Sequence, residues 1–147
     1  VTSDQSSGQI LEGGVVEKIR VANLNIFSPN TRLDYRITVN IEKPMNMPKG
    51  QPDFERNKDR MTYLHQQFKF DLTQVKIPEK PSQNGVRAPS QEVTHELEVE
   101  FRDPKILLRE RQKIEQGMPN QFMEIVEVFL DNIRTLAQKD MEIKNKT

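Results

Sequence analysis

The chain has 147 residues, enough for one domain or a large part of one; only 34% are apolar and 30% are charged. Lys+Arg and Asp+Glu are equal at 22 each, so no overall field favours nucleic acid, and any such affinity has to come from a local cluster. With no cysteine, a disulfide framework, a thiolate metal site and a cysteine nucleophile are excluded. No apolar stretch approaches the ~18 residues of a membrane span and no signal peptide opens the chain, so it reads as soluble and intracellular, with no membrane partner.

Residues 1–14 are rich in Ser, Gln and Gly and read as a linker or loop remnant. Residues 15–27 are rich in β-branched and apolar side chains and predict a strand. Ser28-Pro29-Asn30-Thr31 is a turn signal. From Leu33 to Glu42 the pattern alternates without a fault: Leu33, Tyr35, Ile37, Val39 and Ile41 on one face, Asp34, Arg36, Thr38, Asn40 and Glu42 on the other. Residues 43–57 hold three prolines and a glycine and predict a long loop. Two short strands follow, over 58–63 and 67–75, with a tight connection near His65. In the second, Phe68, Phe70 and Leu72 oppose Lys69, Asp71 and Thr73. Residues 78–91 predict a second proline-rich loop, and 93–102 another strand. The period then changes. Asp103-Pro104 marks a helix start, 106–116 has helical composition, and Gly117 to Pro119 breaks it. Phe122, Ile125, Phe129, Ile133 and Leu136 recur at helical spacing over 121–137, and this stripe reads as a covering helix. The Lys-rich tail after Lys139 is expected to fray. No internal repeat is present.

In the strand over 93–102, Glu96, Glu98 and Glu100 fall on one face and Leu97, Val99 and Phe101 on the other. Neighbouring carboxylates repel unless a cation or several Lys/Arg side chains offset them. An acidic wet face on an edge strand is one reading, and a site for a hard cation such as Mg²⁺ is another. The other strands supply Lys18 and Arg20, Arg36 and Glu42, Lys58 and Arg60, Lys69 and Asp71 on their polar faces. A solvated surface explains such charges; so does a barrel whose lumen they line. A lumen with carboxylates at one place and Lys/Arg at others can hold a metal ion and a polyanion together, as phosphoryl transfer requires. Other chemistries fit poorly. His65 and His95 are the two histidines, and His95 falls on the apolar face as a packed or rim residue. There is no Gly-rich phosphate loop and no Ser/His/Asp spacing.

Several segments resemble a known family. They are Val15-Val16-Glu17-Lys18-Ile19-Arg20, Asp34-Tyr35-Arg36-Ile37 through Glu42, Lys58-Asp59-Arg60, Asp71-Leu72-Thr73, Glu96-Leu97-Glu98-Val99-Glu100 and Phe129-Leu130-Asp131-Asn132-Ile133-Arg134. In order and spacing they resemble the fungal RNA 5′-triphosphatases, the beta subunits of mRNA-capping enzymes, within the triphosphate tunnel metalloenzymes. The resemblance implies a mainly β fold, an antiparallel β-barrel forming a tunnel, with C-terminal α-helices packed outside. It implies a divalent cation, Mg²⁺ or Mn²⁺, and removal of the γ-phosphate from the 5′-triphosphate end of nascent mRNA in the nucleus. Glu100 and Glu98 then match metal ligands, and Glu96 a brace for basic side chains. Lys58 and Arg60 match γ-phosphate clamps, and Glu42 the carboxylate that orients the attacking water. Lys18 and Asp71 match supporting members of the lumen, and Lys69 stands where an arginine is expected.

The family's early Glu-x-Glu strand, which carries the rest of the metal site, has no counterpart before Lys18. The chain therefore reads as the C-terminal half of a catalytic domain, incomplete by itself. Residues 1–14 are then a linker or loop remnant, 15–138 the C-terminal part of the tunnel domain, and 139–147 a flexible tail. The N-terminal half is an expected partner, with the mRNA guanylyltransferase (the capping enzyme alpha subunit) and a second copy in a homodimer, although no segment resembles the guanylyltransferase-docking peptide. Two rival functions stay open: a nucleotide or polyphosphate hydrolase of the same fold, and a non-catalytic scaffold that binds polyanions.

Overall fold

The computed structural model describes residues 1–31, 33–77 and 93–144, with backbone alone beyond 138. The predicted loop over 78–91 lies outside the described residues. Five strands precede two helices: β1 Val16–Ile26, β2 Tyr35–Pro44, β3 Asn57–His65, β4 Phe68–Lys76, β5 Val93–Phe101, α1 Lys105–Glu115 and α2 Phe122–Lys144. The chain forms two compact units, made mainly of Val1–Phe54 and Glu55–Lys139. Among the described residues no helix is long and apolar enough to cross a membrane.

The first unit is an antiparallel ribbon of β1 and β2. Its register shifts between Arg20 and Ala22, a bulge. The bulge has a chemical consequence. Before it, Lys18 and Arg20 share a face with Glu42 and Asn40; after it, Asn23 and Asn25 face Thr38 and Arg36. One extra residue thus keeps the polar face continuous although the apolar phase of β1 moves from Ile19 to Ala22, Leu24 and Ile26. Ahead of β1 the backbone closes a tight loop. Asp4 Oδ1 accepts from the amides and hydroxyls of Ser6 and Ser7, and these bonds, that from the Ser6 side chain foremost, lower its pKa to about 2.

The second unit carries an open antiparallel sheet in the order β3-β4-β5. A two-residue connection at Gln66-Gln67 joins β3 to β4, with Gln66 in the left-handed region at φ 51°. The described residues therefore form two open antiparallel sheets and two helices rather than the closed barrel the resemblance implies. Five strands fall short of the roughly eight that enclose a side-chain-filled lumen.

One sheet face meets α2. Phe68, Phe101 and Phe129 form an aromatic cluster with ring centroids 4.8 to 5.9 Å apart. Phe68 is buried, and so are Ile125 and Ala137 of α2. The cover over the apolar face is partial: Met61, Tyr63, Leu72 and Leu97, further along the same face, stay exposed, Met61 at 58%. The helix hairpin is fastened by local chemistry. Asp103 Oδ1 accepts the Lys105 amide, and its other oxygen takes Arg109. Gly117, at φ 66°, ends α1 with its amide bonded to Ile114 and that of Met118 to Lys113, a Schellman closure. Buried Glu110 accepts Lys113 and the Gln121 amide, and these bonds hold its pKa below the usual range. In this way α1 caps the start of α2. That helix runs to Lys144, past the expected end at Ala137, because no Gly or Pro interrupts 138–144.

Because Phe129 joins the sheet to α2, Phe129→Ala should remove about 3 kcal/mol of unfolding free energy, while Phe129→Leu should cost about a third as much. Urea titration followed by circular dichroism measures both. An unchanged midpoint for the alanine variant would mean that the aromatic cluster does not hold the helix.

Candidate functional site

The other face of the β3-β4-β5 sheet is a charge network. Register alone determines who meets whom. Arg60 lies opposite Thr73, Thr62 opposite Asp71, and Glu96, Glu98 and Glu100 opposite Thr73, Asp71 and Lys69. Period-two alternation then brings Lys58, Arg60, Thr62, Lys69, Asp71, Thr73 and the three glutamates to one side. Central-strand positions lie deepest. Asp71 is 1% exposed, and Thr73 and Val75 are also buried, because the long side chains of the flanking strands lean over them.

Arg60 is the hub. Its Nε donates to Thr73 Oγ1 at 3.1 Å, Nη1 to Asp71 Oδ2 at 3.0 Å and Nη2 to Glu98 Oε2 at 3.3 Å. Lys69 Nζ stands 3.3 Å from the same Asp71 oxygen and 2.8 Å from Glu100 Oε2. Asp71 Oδ1 accepts from the Thr62 hydroxyl at 2.7 Å. At the far end Glu96 takes Lys58 on one oxygen and Arg56 on the other, each at 3.2 Å. No buried side-chain donor or acceptor among the described residues is left unpaired.

The electrostatics follow from these contacts. Burial works against the charged form of Asp71. The Thr62 hydrogen bond, with those of Lys69 and the Arg60 charge, outweighs it, and the carboxyl titrates below the ordinary range. Lys69 moves the other way: the bond to Glu100, assisted by Asp71, holds its ammonium above the usual lysine range. Four carboxylates face four cations across Asp71, Glu96, Glu98, Glu100, Arg56, Lys58, Arg60 and Lys69, so the face is close to neutral.

Of the residues the sequence singles out, seven meet here: Lys58, Arg60, Lys69, Asp71, Glu96, Glu98 and Glu100. Lys18 and Glu42 pair with each other at 3.1 Å across the ribbon of the first unit. Three participants are given no role by the sequence, although Thr73 falls on the polar face with Lys69 and Asp71. Arg56 lies just ahead of β3, within the predicted loop. Thr62 and Thr73 lie two residues beyond Arg60 and Asp71, and that same-face spacing was the available signal. His95 is exposed at the rim, beside Gln74.

Glu98 and Glu100 are hard oxygen donors of the kind Mg²⁺ and Mn²⁺ take. Among the described residues no three acidic or histidine side chains converge on one point. The donor set thus fits part of a cation's coordination shell. In this structure the two carboxylates are engaged by Arg60 and Lys69.

A family profile described as "mRNA capping enzyme, beta chain" matches residues 1–142. The mRNA-capping enzyme subunit beta of Schizosaccharomyces pombe is 40% identical over 143 residues, which are 95% of this chain and 44% of that protein. The same subunit of Cryptococcus neoformans is 36% identical, over 94% of this chain and 32% of that protein. The solved structure of the S. pombe Pct1 RNA triphosphatase superposes with a TM-score of 0.75 at 38% identity, over 92% of this chain and 50% of that one. A second Pct1 structure, in complex with the Spt5 CTD, matches at a TM-score of 0.76. The chain therefore spans about half the length of these relatives or less.

The pairing of Asp71 makes stability depend on acid. Its folded pKa lies below its unfolded value near 3.9, so the unfolded chain binds the proton more readily. The contribution is complete above that value and disappears as pH falls through the folded pKa. Unfolding free energy, followed by denaturant titration between pH 7 and pH 2, should fall in acid. Asp71→Asn should lower it by about 2 kcal/mol at neutral pH and flatten the acid limb. Asp4, Asp103 and Glu110, whose pKa values are also lowered, keep their shares of that limb. An acid limb equally steep in Asp71→Asn would contradict the assignment.

Proposed function

The chain belongs to the mRNA-capping enzyme beta-chain family, and from that premise we propose that it is the C-terminal part of a metal-dependent RNA 5′-triphosphatase. The complete enzyme removes the γ-phosphate from the 5′-triphosphate end of nascent mRNA, in the nucleus, as the first step of cap formation. The observation that carries the reading is the sheet face on which Lys58, Arg60 and Lys69 interleave with four carboxylates, in a chain 38% identical to an RNA triphosphatase of known structure. The fold is read as a fragment of an antiparallel tunnel that needs the strands of an N-terminal half to close. The guanylyltransferase and a second copy of the subunit complete the set of partners.

Each residue has a task in this reading. Lys58 and Arg60 lie two residues apart on one face of β3, so both can take oxygens of one phosphate. Arg60 offers a planar fork and Lys58 a point charge. Their contacts strengthen as charge accumulates on the departing phosphate. Asp71 and Thr73 hold Arg60 from behind, Glu96 holds Lys58, and Lys69 adds positive charge beside them. Glu42 orients the attacking water, with Lys18 beside its carboxylate. Glu98 and Glu100 would hold the divalent cation, with further oxygens from the N-terminal half. When bound, the cation neutralises phosphate oxygens and favours in-line attack at the γ-phosphorus. The neutrality of the face supports a need for that cation, since paired charges offer a triphosphate little net attraction.

Two experiments on the full-length protein test the reading, both by phosphate release from triphosphate-ended RNA. Glu98→Gln and Glu100→Gln should each nearly abolish Mg²⁺- or Mn²⁺-dependent release, because an amide keeps the shape but ligates a hard cation weakly. Near-normal turnover in both would sink the metal assignment. Lys58→Ala and Arg60→Ala should each lower kcat by about 10²–10³, the usual effect of deleting one oxyanion-stabilising contact. Arg60→Lys should recover only part of the loss, because an ammonium cannot fork. Full activity in folded alanine variants would remove these side chains from the clamp. Faster release from free nucleotides or inorganic polyphosphate than from RNA would favour a different substrate class.

A further inference from the structure

We propose that Thr62 is a positioning residue for phosphoryl transfer: its hydroxyl anchors one oxygen of Asp71 so that the other is presented to Arg60 and Lys69. The role rests on the reading of Arg60 as a phosphate clamp.

Asp71 has two oxygens and three donors around it. Oδ1 takes Thr62 at 2.7 Å, the shortest contact Asp71 makes, while Oδ2 is shared by Arg60 and Lys69 at 3.0 and 3.3 Å. The terminal torsion of an aspartate is soft. Without the hydroxyl, nothing in the contact set keeps Oδ1 turned away from the two cations. The carboxylate is then free to rotate and take the guanidinium with both oxygens, the geometry an isolated Arg–carboxylate pair prefers.

That rotation would disturb Arg60. Its fork is divided among three acceptors, Thr73 and Asp71 on the neighbouring strand β4 and Glu98 on β5 beyond it. A bidentate grip by Asp71 would compete with the Nε bond to Thr73 and turn the guanidinium plane. A clamp that must meet a phosphate in one orientation loses rate when its plane turns, even if its charge stays in place. Thr62 lies directly opposite Asp71 in the strand register and two residues from Arg60 on the same face. It can therefore act on the clamp through Asp71, without touching substrate.

The test uses the full-length protein with Thr62→Val, which keeps the shape and removes the hydroxyl, and Thr62→Ser, which keeps the hydroxyl. With triphosphate-ended RNA and Mg²⁺ or Mn²⁺, Thr62→Val should lower kcat about tenfold, as loss of one hydrogen bond to a charged group allows, with KM within about twofold. Thr62→Ser should stay within about twofold of the parent in both constants. A second readout needs no turnover: hydrogen exchange of the Arg60 Nε–H, its NMR signal assigned by its loss in Arg60→Lys. The exchange should be slow in the parent and in Thr62→Ser, and fast in Thr62→Val. Full kcat in Thr62→Val, an equal loss in Thr62→Ser, or unchanged Nε–H exchange in Thr62→Val would each overturn the proposal. If the parent releases no phosphate from RNA, the proposed function falls. The exchange rates then decide the role of Thr62 on their own.

Discussion

A carboxylate that is 1% exposed has to be answered by donors, and the second unit is organised around that requirement at Asp71. At that burial its carboxylate oxygens have to be answered from the protein, and three donors do so. The register supplies Thr62 from one neighbouring strand, Arg60 from the same strand two residues away, and Lys69 from its own strand. Each of these donors then needs an answer of its own. Arg60 finds it in Thr73 and Glu98, and Lys69 in Glu100. A single buried charge thus propagates order across three strands. Slipping β3 by one residue would put apolar side chains against Asp71 and take away two of its three donors.

This arrangement inverts the usual distribution of polarity. At the middle of β4 the charged face is the deeper one, with Asp71 and Thr73 buried, while Leu72 on the opposite face is 41% exposed; Phe68, against α2, is buried on that apolar face. A surface patch would do the reverse, leaving charges in water and the leucine inside. The inversion fits the charged lumen proposed above: shielded positions go to groups that hold Arg60 and Lys69 in place. Shielding also strengthens each contact, since a lower local dielectric raises the energy of every ion pair. The exposed Met61, Tyr63, Leu72 and Leu97 are the other side of the same design, an apolar face that α2 covers at one end only.

Much of this was legible in the sequence because strand and side-chain period coincide. The alternations over 33–42, 67–75 and 93–102 placed each charged side chain on its correct face, and the change of period after Asp103 placed both helices. What the sequence withheld were the partners. Nothing in the order of residues says that Arg60 faces Thr73 or that Glu96 meets Arg56 from the preceding loop, because those pairings depend on register across turns. The bulge between Arg20 and Ala22 was missed although the phase change from Ile19 to Ala22 announces it. The threonines were passed over for a chemical reason. A hydroxyl reads as neutral in a scan for charge, yet here two of them decide how a guanidinium and a carboxylate are oriented. The charged faces fit a barrel lumen and a solvated surface alike, and only the family resemblance favours the closed tunnel.

Lys69 shows how a departure from expectation can suit the network. An arginine there would bring a second fork to an Asp71 oxygen that Arg60 already uses, and two planar guanidiniums would compete for it. A lysine delivers the same charge as a point, with three rotatable donors and no plane to satisfy. It bridges Asp71 on its own strand and Glu100 on the next at 3.3 and 2.8 Å. An ammonium on a flexible stem can also exchange one carboxylate for another at little geometric cost. At a carboxylate proposed to receive a divalent cation, that freedom matters. The group that compensates Glu100 in this structure must be able to withdraw without unfastening Asp71, and a single-point contact allows it where a bidentate grip would not.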